Sequence, residues 1–162
     1  MSKEILLSQG QTALVDDDDY EWIAQWSWSA VKSHGIWYAR RGGRVGEKTS
    51  QVKMHRQIMD AKPGEVVDHI DFDGLNNCRA NLRICTNQQN RFNQRPHSDN
   101  KSNFKGIFFA KPNNKWRARL CINRNYIEIG LFETAEAAAR AYDEAAKKYF
   151  GEFAYLNFKE AE

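Results

Sequence analysis

VVDHIDFDGLNNCRANLRICTNQQNRFN, residues Val66 to Asn93, holds two short apolar runs separated by a polar loop and followed by an amide-rich segment. Val66, Val67 and Ile70 form the first run, which carries the pair Asp68-His69. Asp71, Asp73, Gly74, Asn76 and Asn77 supply turn and loop chemistry. Asn81-Leu82-Arg83-Ile84-Cys85 reads as a second strand. Thr86 is a good N-cap for a helix over Asn87 to Asn93, which brings Asn90 and Asn93 near one face. The expected order is strand, loop, strand, helix. Adjacent strand residues point to opposite faces, so Asp68 and His69 serve one site only where the strand ends or twists.

The residue types have a chemical logic. A carboxylate and an amide oxygen are hard ligands, suited to Mg²⁺ or Mn²⁺ rather than zinc. A neighbouring histidine takes a proton from water near neutral pH. A hard cation and a base together suffice to hydrolyse a phosphodiester. Asp71-Phe72-Asp73-Gly74 suggests a calcium loop, but the further oxygen ligands and the closing glutamate are missing at the required spacing. Taken singly, these residues fit an ordinary surface loop with turn and cap asparagines. Together and in order they also supply the cation ligands and the base that phosphodiester hydrolysis needs.

Asp68-His69, then Asn81, then Asn90, resembles the HNH motif of the ββα-metal nucleases. It is most similar to the homing endonucleases of phage introns and their free-standing relatives, in which asparagine replaces the last histidine. The resemblance implies that Asp68 and Asn90 hold a divalent metal, that His69 is the general base, and that Asn81 braces the loop and orients the histidine.

Upstream, Ile5 to Leu7 and Ala13 to Val15 predict a hairpin. Asp16 to Asp19 precede a short helix, where acids complement the helix dipole, so capping explains them. Trp26 and Trp28 alternate with serines as in a half-buried strand. Ser33-His34-Gly35 predicts a turn, Ile36 to Arg40 and Gln51 to Met54 predict strands, and His55 to Asp60 a short helix. His55 is a possible accessory site residue, with packing the simpler role. Cys78, Cys85 and Cys121 form no CxxC pair. The expectation is no zinc, no disulfide framework and a reducing, cytoplasmic setting. No apolar run reaches membrane-spanning length, the first residues do not open a signal peptide, and no obligatory protein partner is evident.

A net charge of +3 says little, but its distribution says more. Between Arg91 and Arg124, cationic residues recur against a lone acid, Asp99, and are interleaved with Phe104, Phe108, Phe109 and Trp116. This suits a phosphate backbone; an ordinary solvated basic face is the bland alternative. Gln94 to Asn103 is polar, contains Pro96 and predicts an extended linker. Beyond it, three strands and an alanine-rich helix from Ala135 to Phe150 are expected. Thr134 would cap the helix, Gly151 would stop it, and Ala138, Ala141 and Ala145 would face the sheet. Trp116, Ala118, Leu120 and Ile122 share one face of the middle strand; Arg117, Arg119 and Cys121 share the other.

Lys115-Trp116-Arg117-Ala118, Ile129-Gly130-Leu131-Phe132, Thr134-Ala135-Glu136-Ala137-Ala138 and Leu156-Asn157-Phe158 resemble the plant AP-two/ERF (Apetala-type) DNA-binding domain, as does Lys105-Gly106-Ile107. The resemblance implies a sheet laid in the major groove of double-stranded DNA. Lys105, Gly106, Arg119 and Tyr142 would stand at contact positions, with Arg117 and Arg124 as basic neighbours and Lys101 tracking phosphates from the linker. Phe108, Ala110, Cys121 and Glu128 depart from the plant pattern, so the plant target does not transfer.

The sequence therefore predicts an α+β chain. Residues 1–93 form an HNH nuclease domain, comprising a β-rich platform (1–60) and a ββα-metal motif (66–93). Residues 94–103 are a linker, and 104–158 an AP-two/ERF-type domain of three antiparallel strands on one helix. The expected activity is site-specific, divalent-metal-dependent hydrolysis of DNA. The alternative is a non-catalytic, sequence-specific DNA-binding regulator that retains a decayed HNH fold.

Overall fold

The computed structural model describes residues 1–45, 48–97 and 99–158. It is a mixed α+β chain with four small antiparallel sheets and four α-helices among the described residues. The chain divides into two compact units, residues 1–86 and 87–162.

The first unit opens with the expected hairpin. Strand β1 (Ser2–Leu6) pairs antiparallel with β2 (Thr12–Asp16), placing Ile5 opposite Ala13. Ala13 and Val15 are buried while their neighbours are half-buried, the period of a one-sided strand. Helix α1 (Asp17–Ala24) follows, then the meander β3 (Ser29–Ser33), β4 (Ile36–Val45) and β5 (Lys48–Lys53), and the short helix α2 (Met54–Ile58). Ile5, Val15, Ile23, Trp28, Met54 and Ile58 are central members of its core. Two expectations change. Trp26 and Trp28 lie ahead of β3, not within a strand. Trp28 is buried, with its indole N–H donating to the Ile23 carbonyl, while Trp26 is exposed under the Arg41 guanidinium. The acidic cluster does more than complement a helix dipole. Asp16 makes no side-chain cap. It accepts the Arg79 backbone N–H at 2.7 Å, and buried Asp19 takes the Arg79 guanidinium in a two-pronged contact at 2.7 Å and 2.7 Å. These acids anchor the far end of the Asp71–Asn77 loop.

Strand β6 (Val66–His69) pairs antiparallel with β7 (Leu82–Cys85), Asp68 opposite Arg83 and His69 opposite Leu82. The loop between them is stitched to the platform: Leu14 donates to the Leu75 carbonyl at 2.9 Å and Asn77 donates to Leu14 at 2.8 Å. Gly74 is required where it stands. A Cβ there would lie 2.3 Å from the Trp37 carbonyl and 2.7 Å from the Tyr38 ring.

The second unit begins with helix α3 (Asn87–Asn93). Strands β8 (Ile107–Ala110), β9 (Lys115–Ile122) and β10 (Asn125–Phe132) form a sheet in the order β10-β9-β8. Asn123 and Arg124 both have positive φ (51° and 66°), the signature of a tight hairpin turn. Helix α4 (Ala135–Phe150) is capped by the Thr134 hydroxyl, which accepts the Ala137 N–H at 3.1 Å. It lays Ala138, Ala139, Tyr142, Ala146 and Phe150 against Ile107, Ala118 and Leu120. The small face is thus centred on Ala138, Ala139 and Ala146, rotated from the expected Ala141 and Ala145, which stay half-buried.

The compact division at Thr86 falls ahead of the segment expected to be a linker. Within that segment Ser98 lies outside the described residues. Residues 100–103 form a hydrogen-bonded turn: Asn100 donates to the Phe104 carbonyl at 2.7 Å, and the buried Ser102 hydroxyl donates to Ile107 at 3.0 Å.

Candidate active site

The first unit gathers a buried polar cluster at the end of β6. Asp68 and His69 are 6% and 7% exposed, unusual for ionisable groups on a four-residue strand. Asp68 accepts two hydrogen bonds from Arg83 on its Oδ2, at 3.0 Å and 2.8 Å, an ion pair with both side chains nearly out of solvent. Pairing makes such burial tolerable. The His69 ring meets two others: His55 edge-on at 4.9 Å and Tyr38 at 5.8 Å between centroids. Tyr38 and His55 meet edge-on at 5.7 Å. Two rings, one from β4 and one from α2, therefore flank the imidazole.

Burial sets the electrostatics. It pushes His69 below the ordinary histidine value, opposed by the Asn77 side chain and the carboxylates of Asp71, Asp68 and Asp73. Burial pushes His55 further, down to about 3, helped by His69, Lys53 and Arg56. His55 Nδ1 is buried without a hydrogen-bond partner among the described residues. Tyr38 is raised, first by burial and then by the Asp68 charge.

Asn81 sits at the end of a single 3-10 turn (Arg79–Asn81) and spans the loop. Its Oδ1 accepts the Asp71 N–H at 3.0 Å, while its Nδ2 donates to Asp71 Oδ1 and to the Asn76 carbonyl, both at 2.9 Å. Asp71 and Asp73 turn their carboxylates onto their own loop, accepting from Asp73, Asn76 and Leu75. The amide beside His69 is Asn77, fully buried. Tyr38, Asn77 and Arg83 carried no signal of their own in the sequence. Arg83 could have been suspected as the one cation on a short strand that must pair with the strand bearing Asp68.

Asn90 lies on α3 and belongs to the second unit, half-buried beside the outer face of the sheet. Of the residues expected to meet DNA, Arg119 is held between two rings, 4.0 Å from the Tyr126 centroid and 4.6 Å from Phe108. Arg117 shares its face and approaches Glu128 at 3.6 Å. Arg124 and Lys101 are exposed. Lys105, Gly106 and Tyr142 line one groove with Asn90 and Arg119 and are also engaged within the fold. The Lys105 ammonium donates to the carbonyls of Arg91, Phe92 and Gln94 at 3.1, 2.6 and 2.6 Å, capping the C-terminus of α3. Its residue precedes β8, so strand alternation did not govern it. Tyr142 is 3% exposed and packs in the core, and burial raises its hydroxyl pKa. Gly106 (φ 76°) is the residue that admits the Tyr142 ring, since a Cβ there would lie 2.1 Å from it.

A family model described as HNH endonuclease matches residues 53–92. An uncharacterized HNH endonuclease of Acanthamoeba polyphaga mimivirus is 34% identical over 155 residues, covering 92% of this chain and 76% of the relative. The chain belongs to the HNH endonuclease family. The matched segment runs from the end of β5 into α3 and includes His55, Asp68, His69, Asn81 and Asn90. Protein 3.8 of Escherichia phage T7 is 26% identical over 107 residues, 63% of this HNH chain and 88% of that protein. APETALA2-like protein 2 of Oryza sativa is 42% identical over 62 residues, 37% of this chain but only 14% of the plant protein.

Among the described residues, no group of three or more His, Cys, Asp or Glu side chains is arranged to hold a metal. None of the described helices is long and apolar enough to cross a membrane.

Proposed function

We propose that the chain is a divalent-metal-dependent, site-specific DNA endonuclease of the homing type. The observation that carries this reading is the buried Asp68-His69 pair, with His69 against the Tyr38 and His55 rings and Asp68 held by Arg83, within the segment that matches the HNH family. Strands β6 and β7 with α3 correspond to the ββα-metal motif, and residues 104–158 to an AP-two/ERF-type domain that would choose the sequence. Double-stranded DNA is the substrate.

The donor set fits a hard cation: Asp68 offers a carboxylate and Asn90 an amide oxygen, ligands suited to Mg²⁺ or Mn²⁺ and poor for zinc. Bound there, such an ion would supply charge neutralisation at the scissile phosphate and at the departing oxygen. Arg83 fixes the Asp68 carboxylate through Oδ2. His69 acts as general base; an imidazole held below its ordinary pKa is unprotonated near neutral pH, the form that accepts a proton. It takes a proton from water, whose oxygen attacks phosphorus as the bond to the 3′ oxygen breaks. The products are a 5′-phosphate and a 3′-hydroxyl. Asn81 braces the loop that follows His69.

The Asp68–Arg83 ion pair also favours a second reading, because it satisfies the carboxylate without any metal. In that reading the chain is a DNA-binding regulator with a decayed HNH fold. Supercoiled plasmid incubated with Mg²⁺ separates the two: conversion to nicked or linear DNA, abolished by EDTA, supports the nuclease, and intact plasmid under conditions where the chain binds it supports the regulator.

A further inference from the structure

The second unit is more than a sheet and its covering helix. Helix α3 is welded into it at three points. Phe92 stacks on Phe150 with centroids 3.7 Å apart and planes 11° from parallel. The Phe92 carbonyl accepts the Tyr155 N–H at 3.1 Å. Lys105 caps the last carbonyls of the helix. Between α3 and the outer face of β8, β9 and β10 runs an open groove of about 1090 Å³. Its helical wall carries Asn87, Gln88, Asn90 and Arg91; its sheet wall carries Phe108, Arg119, Cys121 and Tyr126, with Arg124 from the hairpin turn. Among the described residues the lining contains no aspartate or glutamate.

Two features mark the groove as built for a polyanion. Arg119 is locked between Phe108 and Tyr126, so its guanidinium loses little freedom on binding. Arg124 stands at φ 66°, in a turn position where glycine is the relaxed choice. That turn conformation sets a guanidinium at the groove's edge.

We propose that this groove is a channel for the backbone of duplex DNA, with α3 as one wall. Arg91 and the α3 side-chain amides contact phosphates on one side while Arg124 holds the other, and Arg119, stacked on the sheet between them, faces the bases. The DNA-reading surface then extends beyond the sheet onto a helix of the nuclease motif, and bound DNA is threaded past Asn90. Charge selects the occupant: three arginines on a lining that holds no acid among the described residues, beside an amide-bearing wall, match a phosphodiester backbone, while Glu128, the cross-strand neighbour of Arg119, lies outside that lining and approaches Arg117. The inference rests on the DNA-endonuclease reading and deepens it.

The test is equilibrium binding of the full chain to a fluorescein-labelled mixed-sequence duplex in EDTA, so that nothing is cut, across a salt series. Arg91→Ala places a better helix former on an exposed turn, and Arg124→Gly relaxes the turn backbone. Both variants therefore keep the fold, checked by thermal melting, while losing a groove charge. Each is expected to weaken binding and to lower the slope of log K against log salt by about 0.9, the loss of one phosphate contact. Lys148→Ala, on α4 and outside the groove, is expected to leave the slope unchanged. An Arg91→Ala slope equal to that of the unsubstituted chain, with Arg124→Gly reduced, overturns the inference: the sheet would bind DNA without the helix. Failure of the unsubstituted chain to bind would instead overturn the endonuclease reading itself, and this inference with it.

Discussion

The two units use charge differently. The first buries it at the candidate site: Asp68 and Asp19 are each less than one-tenth exposed and held by arginines, beside the equally buried imidazoles of His55 and His69, which burial keeps unprotonated. The second buries Asp143 and half-buries Lys105 but displays Arg119, Arg124 and Arg91 around an open groove whose lining holds no acid among the described residues. Buried, paired charge suits a group that must be held in one geometry for chemistry, because the low dielectric strengthens every contact around it. Displayed charge suits association with a polyanion, where each contact adds affinity and salt sensitivity. The contrast argues for a division between cutting and holding, and each unit can be perturbed separately.

The largest effect is expected at Arg83. Arg83→Met leaves the Asp68 carboxylate buried without its cation, which costs about 3–5 kcal/mol. Four of the five tryptophans (Trp22, Trp26, Trp28 and Trp37) lie in the first unit, so denaturation followed by tryptophan fluorescence reports this loss. An unshifted midpoint would mean that the pair does not hold the first unit together. The matching break in the second unit is Gly106→Ala. Its methyl group has no room against Tyr142 and the backbone has φ 76°, so overpacking alone costs about 1–3 kcal/mol. Loss of far-ultraviolet helical signal at lower denaturant is the readout, since α4 is the longest helix.

These two positions also mark what the sequence made legible. The strand–loop–strand–helix pattern of Val66 to Asn93 was readable because apolar runs, turn residues and caps are local signals, and so were the three strands and α4. The partners of the buried charges were not. Arg79 reaches Asp19 across 60 positions and Arg83 reaches Asp68 across 15; no periodicity encodes either. Lys105 looked like a surface cation because nothing local announces that it caps a helix ending at Asn93. Only the AP-two/ERF resemblance sets Tyr142 at a contact position, and its burial depends on the glycine that admits its ring, Gly106, which lies ahead of β8. In the site, Asp68 and His69 stood out as a pair, whereas the Tyr38 and Asn77 contacts with His69 depend on how β4 and the loop return to β6.

Smaller effects sharpen the functional half of the comparison. Arg119, fixed between two rings, is expected to read a base: Arg119→Ala should remove about 1–3 kcal/mol of discrimination between preferred and mixed-sequence DNA. Lys101, exposed in the turn before β8, should contribute only to salt dependence, about 0.9 in slope. Competition binding checks both; equal loss of selectivity in the two variants would remove the special role of Arg119. The smallest effect concerns pH. Burial draws Lys105 from 10.5 to about 7. The folded state then binds fewer protons than the unfolded state between those values, so stability of the second unit rises with pH from about 7 towards 10. The three carbonyl contacts favour the ammonium and keep this slope shallow. Melting curves at several pH values should show the rise in the unsubstituted chain and its absence in Lys105→Met.

The division between cutting and holding is tested most directly by one paired measurement on His69→Ala: single-turnover DNA cleavage with Mg²⁺, and binding of the same DNA in EDTA. Removal of a general base should slow cleavage by about 10²–10⁴-fold while affinity stays at the level of the unsubstituted chain. Cleavage by His69→Ala at an undiminished rate, or a loss of binding that matches the loss of cutting, would contradict the account.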